Sequence, residues 1–238
     1  MALKRVAIPS PNYSSRGGAT VTTIVLHTAE GATTYQSLGS FFQNPASGVS
    51  SHVGIDDTPN TVGEYVPRSG NAWTAAGANQ WSVQAELCAF ASWTPDVWAA
   101  HPEMLANTAA WIAEEAAAFG IPLTLLSPDQ AQNRNIPGVC QHVDLGSMGG
   151  GHWDCGPNFP ISQVMAMAAG GSSGEPLPPT WEEPDMYLIQ ATSGWISMFS
   201  GDSKTGIVDQ DSVNAFITAG VKLVKVSDNQ YKSIPDAK

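Results

Sequence analysis

The sequence predicts an α/β protein: a three-layer domain followed by a small α+β module. Three observations carry this reading. Over residues 1–169, β-branched runs alternate with segments of helical periodicity, the pattern of helices packed on the faces of a sheet. Residues 170–184 then break the pattern with a flexible Gly/Ser stretch and a stiffer Pro-rich one, which together read as a linker. Residues 185–238 return to short strand-like runs around a single helical segment, a module small enough to be marginal alone.

The elements follow in chain order. Thr22–Thr28 is β-branched with a continuous apolar centre, Ile24-Val25-Leu26, as expected of a central strand buried on both faces, and His27 lies at its C-terminal end. Thr34–Phe42 spaces Tyr35, Leu38, Phe41 and Phe42 as a helix, stopped at Asn44-Pro45. Val49–Asp56 reads as a strand. Ser82–Leu87 reads as another, alternating Val83, Ala85 and Leu87 against Ser82, Gln84 and Glu86. The best-marked helix is Pro102–Phe119. Leu105, Ala109, Ile112, Ala116 and Phe119 form its stripe, Pro102 suits its first turn and Gly120 its stop. Gly138–His142 is a short strand leading to a second histidine, and Ser162–Ala169 a closing helix. In the tail, strands are expected at Met186–Thr192, Trp195–Phe199, Lys204–Val208 and Val221–Val226. A helix is expected at Asp211–Ala219, with Asp211 as N-cap and Gly220 as stop.

Composition narrows the function. The net charge of −11 argues against nonspecific binding to nucleic acid or to anionic membranes, which requires clustered Lys and Arg. The acidity is uneven: residues 1–170 hold 5 basic and 12 acidic side chains, the tail 5 and 6. No apolar run approaches the roughly 18 residues that span a bilayer, so no membrane insertion is expected. The basic start Met1–Arg5 precedes an apolar stretch that Pro9 ends at once, so no signal peptide is expected and synthesis should be cytoplasmic. Cys88, Cys140 and Cys155 cannot all pair with one another. Free thiols fit a reducing compartment, with a Cys140–Cys155 disulfide as the open alternative.

Two histidines and an aspartate, distant in sequence, stand in contexts suited to zinc: His27 at a strand end, His142 after a short strand, and Asp154 in the glycine-rich stretch that follows. Two imidazoles and a carboxylate fill three corners of a tetrahedron and leave the fourth for water, the hydrolytic zinc pattern. Other templates fail. There is no His-Glu-x-x-His and no Pro-Cys-x-x-Cys deaminase signature. Gly149-Gly150-Gly151 lacks the Lys-Ser or Lys-Thr of a phosphate loop.

Four segments in order, Ile24–Thr28, Val49–Asp56, Ser82–Leu87 and His142–Phe159, carry a family resemblance. Over residues 20–168 the chain resembles the zinc-dependent N-acetylmuramoyl-L-alanine amidases of phage lysins and bacteria, which share a fold with peptidoglycan recognition proteins. Its wording is similar to endolysins of phages that infect actinobacteria. The resemblance implies a central mixed β-sheet flanked by helices and a catalytic domain at 1–169. It also implies cleavage of the N-acetylmuramic acid–L-alanine bond in bacterial cell-wall peptidoglycan after release from the host cytoplasm. His27 and His142 match the family's histidine ligands. Asp154 and Cys155 compete for the third; His152 stands two before Asp154, where the family places an active-site Lys or His, which favours Asp154. Glu86 matches the family's general base, and partial burial on its strand should raise its pKa. His152 would steady the oxyanion, as a cation only if its pKa stays high. His52 matches a histidine that is no ligand in the family and is expected to support the ligands or touch substrate. Asp144 and Glu30 are candidates to orient the imidazoles. Trp73, Trp81, Trp93 and Trp98 fit either a sugar-stacking groove or the core, and His101 reads as structural. The tail is expected to bind cell wall or to mediate self-association. The alternatives are a recognition module on the same fold that binds peptidoglycan without cutting it, and a zinc peptidase acting on the stem peptide.

Overall fold

A computed structural model describes residues 2–170 and, in the tail, 187–191, 196–200, 203–206 and 222–226. The chain divides into two compact units, Met1–Ser173 and Gly174–Lys238. Along the first unit run β1 (Lys4–Ala7), β2 (Tyr13–Ser15), β3 (Thr23–Thr28), α1 (Tyr35–Phe42), β4 (Val53–Ile55), β5 (Thr61–Glu64), β6 (Gly70–Ala72), β7 (Ser82–Leu87), α2 (Pro95–Ala99), α3 (Pro102–Phe119), α4 (Pro128–Ala131), β8 (Gly138–Gln141) and α5 (Ile161–Ala168). Short 3-10 segments lie at Pro45–Ser47, Ala76–Trp81 and His142–Gly149.

Six strands form one mixed sheet in the order β1-β5-β4-β7-β3-β8. Every neighbouring pair is parallel except β4 with β5, which is antiparallel. Strand β3 sits between β7 and β8 and is buried along its whole length, as its unbroken apolar centre requires. Its two faces differ. Ile24 and Leu26 join Val83, Ala85 and Leu87 of β7 in the main core, against Leu105, Trp111 and Ile112 of α3 and Val164 of α5. The opposite face carries Thr23, Val25 and His27, with Val25 in a smaller cluster containing Trp81, Cys140 and Leu145.

Helix α3 has the expected bounds, and Gly120 closes it in the left-handed conformation that glycine adopts without strain. Arg5 of β1 bonds Glu114 and Glu115 of α3, at 2.8 and 3.0 Å, and Arg68 bonds Glu115 at 2.7 Å. The buried Glu115 carboxylate is therefore shared by two guanidiniums, the pairing that an ionised group needs inside a protein.

One expectation needs revision. The strand expected over Val49–Asp56 contracts to Val53–Ile55. Upstream, the Ser50 hydroxyl donates to Asn12 O and the Ser51 hydroxyl to Gln84 O, so this stretch is tied down by side chains rather than by a ladder. The polar face of β7 is turned inward: Ser82 and Gln84 are wholly buried and Glu86 half-buried. Strand β7 lies inside the sheet, and its polar side chains face the candidate site.

The tail contains β9 (Tyr187–Ala191), β10 (Ile196–Ser200), β11 (Ser203–Gly206) and β12 (Lys222–Val226), in the order β11-β10-β9-β12. Strand β12 runs parallel to β9, and the other neighbouring pairs are antiparallel. The helix expected at 211–219 lies outside the described residues.

Candidate active site

Three ends of chain meet on the polar face of the sheet. His27 is the penultimate residue of β3, His142 follows β8 directly, and Asp154 comes from the loop beyond the His142–Gly149 segment. Their positions follow from the topology, because β3 and β8 are parallel neighbours whose C-terminal ends lie side by side. Asp154 is fixed by its backbone carbonyl, which accepts from Val143 N at 2.8 Å, and by Oδ2, which accepts from Thr28 N at 3.3 Å.

The donor atoms converge. His27 Nδ1 lies 2.9 Å from His142 Nδ1. Asp154 Oδ1 is 3.2 Å from His142 Nδ1, and Oδ2 is 3.6 Å from His27 Nδ1. One ligand atom from each residue falls within 4.8 Å of the others, close enough to share one metal ion. All three residues are buried.

The hydrogen-bond network fixes which imidazole nitrogens carry protons. Asn79 Oδ1 accepts from the backbone N–H groups of Thr74 and Ala75, at 3.0 and 2.6 Å, so that atom must be oxygen. Gln84 Nε2 donates to the same oxygen at 3.0 Å. That orientation turns Gln84 Oε1 toward His27, where it accepts from Nε2–H at 3.0 Å. His142 Nε2–H donates to Gly149 O at 2.8 Å. In neutral rings both Nδ1 atoms are then bare, and two lone pairs and a carboxylate point at one spot. That set repels itself and fits a cation. Burial, helped by the neighbouring His142, lowers the His27 pKa to about 4, so the ring is neutral near pH 7. Burial alone would raise the Asp154 carboxyl, but the adjacent His142 and His27 rings outweigh it and hold it well below the usual range. A neutral His27 and an ionised Asp154 are the protonation states that metal binding requires of those two groups.

Glu86 pairs in register with His27 across β7 and β3. Its Oε2 is buried with no hydrogen-bond partner. Burial first, then the negative charges of Asp154 and Glu30, push its pKa up to about 8. His152 stacks on His142, with ring centroids 4.5 Å apart and planes 12° from parallel, and its Nδ1 lies 3.8 Å from Asp154 Oδ1. Unlike His27, His142 and Asp154 it is exposed, with 61% of its side chain accessible. All five residues line one groove of about 730 Å³ that extends to Phe41, Val49 and Trp73. Among the described residues lining it there is no lysine or arginine, and Glu30 and Asp154 give it a negative field suited to a cation.

Other candidates fall elsewhere. Cys155 is packed in the apolar core, and burial together with the nearby Asp154 and Glu86 charges raises its thiol pKa well above normal, so it stays protonated and away from the cluster. All three cysteines are free, so the Cys140–Cys155 bridge does not form. Asp144 accepts from Gln141 N, and Glu30 accepts from the Thr28 hydroxyl and Ala91 N; neither touches an imidazole. The residues that orient the rings are Gln84 and the Gly149 carbonyl. No sequence signal marked them, since Gln84 sits in an alternating strand and a backbone carbonyl has no signature. His52 is buried behind the site, where its Nδ1 accepts from Gln84 N at 3.1 Å. Burial and the Arg16 charge lower its pKa to about 3. Trp98 and Trp81 are core residues, whereas Trp73 is exposed on the groove. His101 pairs with Asp57 and stacks on Trp93, a structural role.

A buried donor set at the strand ends and an unpaired carboxylate beside it, on one groove of an α/β domain, suit a hydrolase. The chain belongs to the N-acetylmuramoyl-L-alanine amidase family, whose model matches residues 17–157. No curated protein matches it. Among solved structures it is similar in fold to a selenomethionine derivative of AmpD, with 18% identity over 69% of this chain and 93% of that one and a TM-score of 0.51. It is likewise similar to the Staphylococcus aureus hydrolase AmiA in complex with its ligand, with 20% identity, coverage of 71% and 82%, and a TM-score of 0.51. A third is the Clostridium intestinale endolysin N-acetylmuramoyl-L-alanine amidase LysCS, with 16% identity, coverage of 72% and 99%, and a TM-score of 0.51. Family membership makes the chain a peptidoglycan amidase, an enzyme that cuts between N-acetylmuramic acid and L-alanine.

Proposed function

We propose that this amidase is zinc-dependent and serves a bacteriophage as an endolysin, with His27, His142 and Asp154 as ligands, Glu86 as general base and His152 as oxyanion stabiliser. The observation that carries the ligand assignment is the pair of bare Nδ1 atoms 2.9 Å apart, each ring spending its Nε2–H on a protein acceptor. Zinc held there supplies Lewis acidity, making water more acidic and polarising the carbonyl of the scissile amide. Glu86 takes the proton from the attacking water on its carboxylate and passes it to the L-alanine nitrogen as the C–N bond breaks. A carboxyl with an elevated pKa is suited to both halves of that transfer, provided a nearby cation brings it into the ionised form before water attacks. His152, free at the mouth of the groove, donates an N–H to the oxyanion developing on the lactyl carbonyl.

The endolysin role draws on the named activity of LysCS and on the division of the chain into two units. Residues 1–169 are the catalytic part, 170–184 the linker and 185–238 a module that binds cell wall or self-associates. An actinobacterial host fits the sequence resemblance.

The test is product analysis on purified walls. New L-alanine amino termini with free muramoyl carboxylates, abolished by a chelator and restored by zinc, are expected. New termini elsewhere in the stem peptide would replace the amidase with a peptidase. Binding without any product would leave a recognition module.

A further inference from the structure

We infer that Asn79 and Gln84 form a tautomer lock on His27: a two-amide relay, anchored to the backbone, that keeps His27 Nδ1 free of its proton and aimed at the metal position. Both act as positioning residues. The inference rests on the proposed metal role of His27 for its functional meaning, but its structural content does not depend on a metal.

The relay begins at groups that cannot change. The N–H groups of Thr74 and Ala75 only donate, so both demand oxygen at Asn79. That oxygen demands the amino end of Gln84, which in turn presents its carbonyl end to His27 Nε2. Four hydrogen bonds thus transmit one piece of information, the position of a proton, from a 3-10 segment to a strand-end imidazole. Gln84 is wholly buried, so water cannot substitute for its amide. It is also held from behind, because its N–H donates to His52 Nδ1 at 3.1 Å and its carbonyl accepts from His52 N and the Ser51 hydroxyl. Without the relay, His27 could place its proton on Nδ1, donating to the bare His142 Nδ1 at 2.9 Å, and the ligand atom would be blocked. His142 has a different arrangement, its Nε2–H going straight to the Gly149 carbonyl. A Cβ at Gly149 would come within 3.2 Å of that Nε2, which leaves room for a glycine carbonyl and little more.

The experiment uses the full chain, metal-free and then titrated with zinc against a competing chelator. The parent, Gln84→Leu and Gln84→Glu are compared. Long-range 1H–15N spectra of the metal-free proteins report which nitrogen of His27 is protonated. The parent should show the Nε2–H form. Gln84→Leu should move His27 to the Nδ1–H form and weaken zinc binding roughly 10- to 100-fold. Gln84→Glu keeps an acceptor at Nε2–H, so it should retain the parent's tautomer and bind zinc far more tightly than Gln84→Leu. Parent-like tautomer and parent-like affinity in Gln84→Leu would overturn the lock. Should Gln84→Leu not fold, Asn79→Leu decides on the same two readings: freed to turn over, Gln84 should no longer hold His27 in the Nε2–H form, and an unchanged tautomer with unchanged affinity overturns the proposal. A parent that shows the Nε2–H form but binds no zinc would instead sink the metal reading and leave the lock standing.

Discussion

His27 and Glu86 sit opposite each other on adjacent strands, yet their removal should affect the protein differently. His27→Ala should lose the metal along with activity, whereas Glu86→Ala should retain it and lose turnover. Metal analysis beside wall-lysis assays separates the two, and equal zinc in His27→Ala and the parent would take His27 out of the site. Glu86 also predicts a pH dependence. Its folded pKa of about 8 lies above its ordinary 4.5, so folding favours the protonated form. The resulting stability is full below about pH 4.5 and is lost as pH rises through 8. Metal-free parent should therefore lose melting temperature relative to Glu86→Gln between about pH 5 and 8, since titrations common to both proteins cancel. A difference that does not change with pH would contradict this. His27, His142 and Asp154 were legible because each lies beside a recognisable stretch of chain. Gln84 was not, because a glutamine alternating with valine and alanine looks the same whether its face meets water or a buried site.

The elements were legible in proportion to how local their stabilisation is. Helix α3 declares itself through Pro102, its apolar stripe and Gly120, all within one segment. Strand β3 does so through Ile24-Val25-Leu26. The strands β1, β2, β5 and β6 span only three or four residues each and take their stability from partners far along the chain, which no local pattern encodes. The β4–β5 pair shows how tight that non-local fit is. A Cβ on Gly54 would lie 2.1 Å from Tyr65 Oη, the hydroxyl that donates to Tyr35 O at 2.6 Å at the start of α1. Gly54→Ala should displace that ring and cost about 1–3 kcal/mol, the scale of overpacking. Chemical denaturation would measure it, and wild-type stability would show that the tyrosine yields freely.

At the scale of the molecule, the whole donor set and the six-stranded sheet belong to the first unit. Removing 185–238 should therefore leave hydrolysis of small soluble muropeptides intact while reducing pelleting with purified walls. Unchanged pelleting would argue against a wall-binding tail and favour self-association, which sedimentation of both forms would reveal. Among the described residues no helix is long and apolar enough to cross a membrane. The Gly/Ser/Pro stretch at 170–184 announces itself in composition without tertiary context, whereas no chemistry-bearing motif marks a role for the tail.

Every sulfhydryl of the chain lies deep in the first unit, and burial keeps those of Cys88, Cys140 and Cys155 in the unreactive protonated form. Alkylating reagents should find no target until the surrounding packing opens. The rate at which iodoacetamide labels the native enzyme then becomes a built-in clock for its rarest openings, readable by mass spectrometry without an added probe.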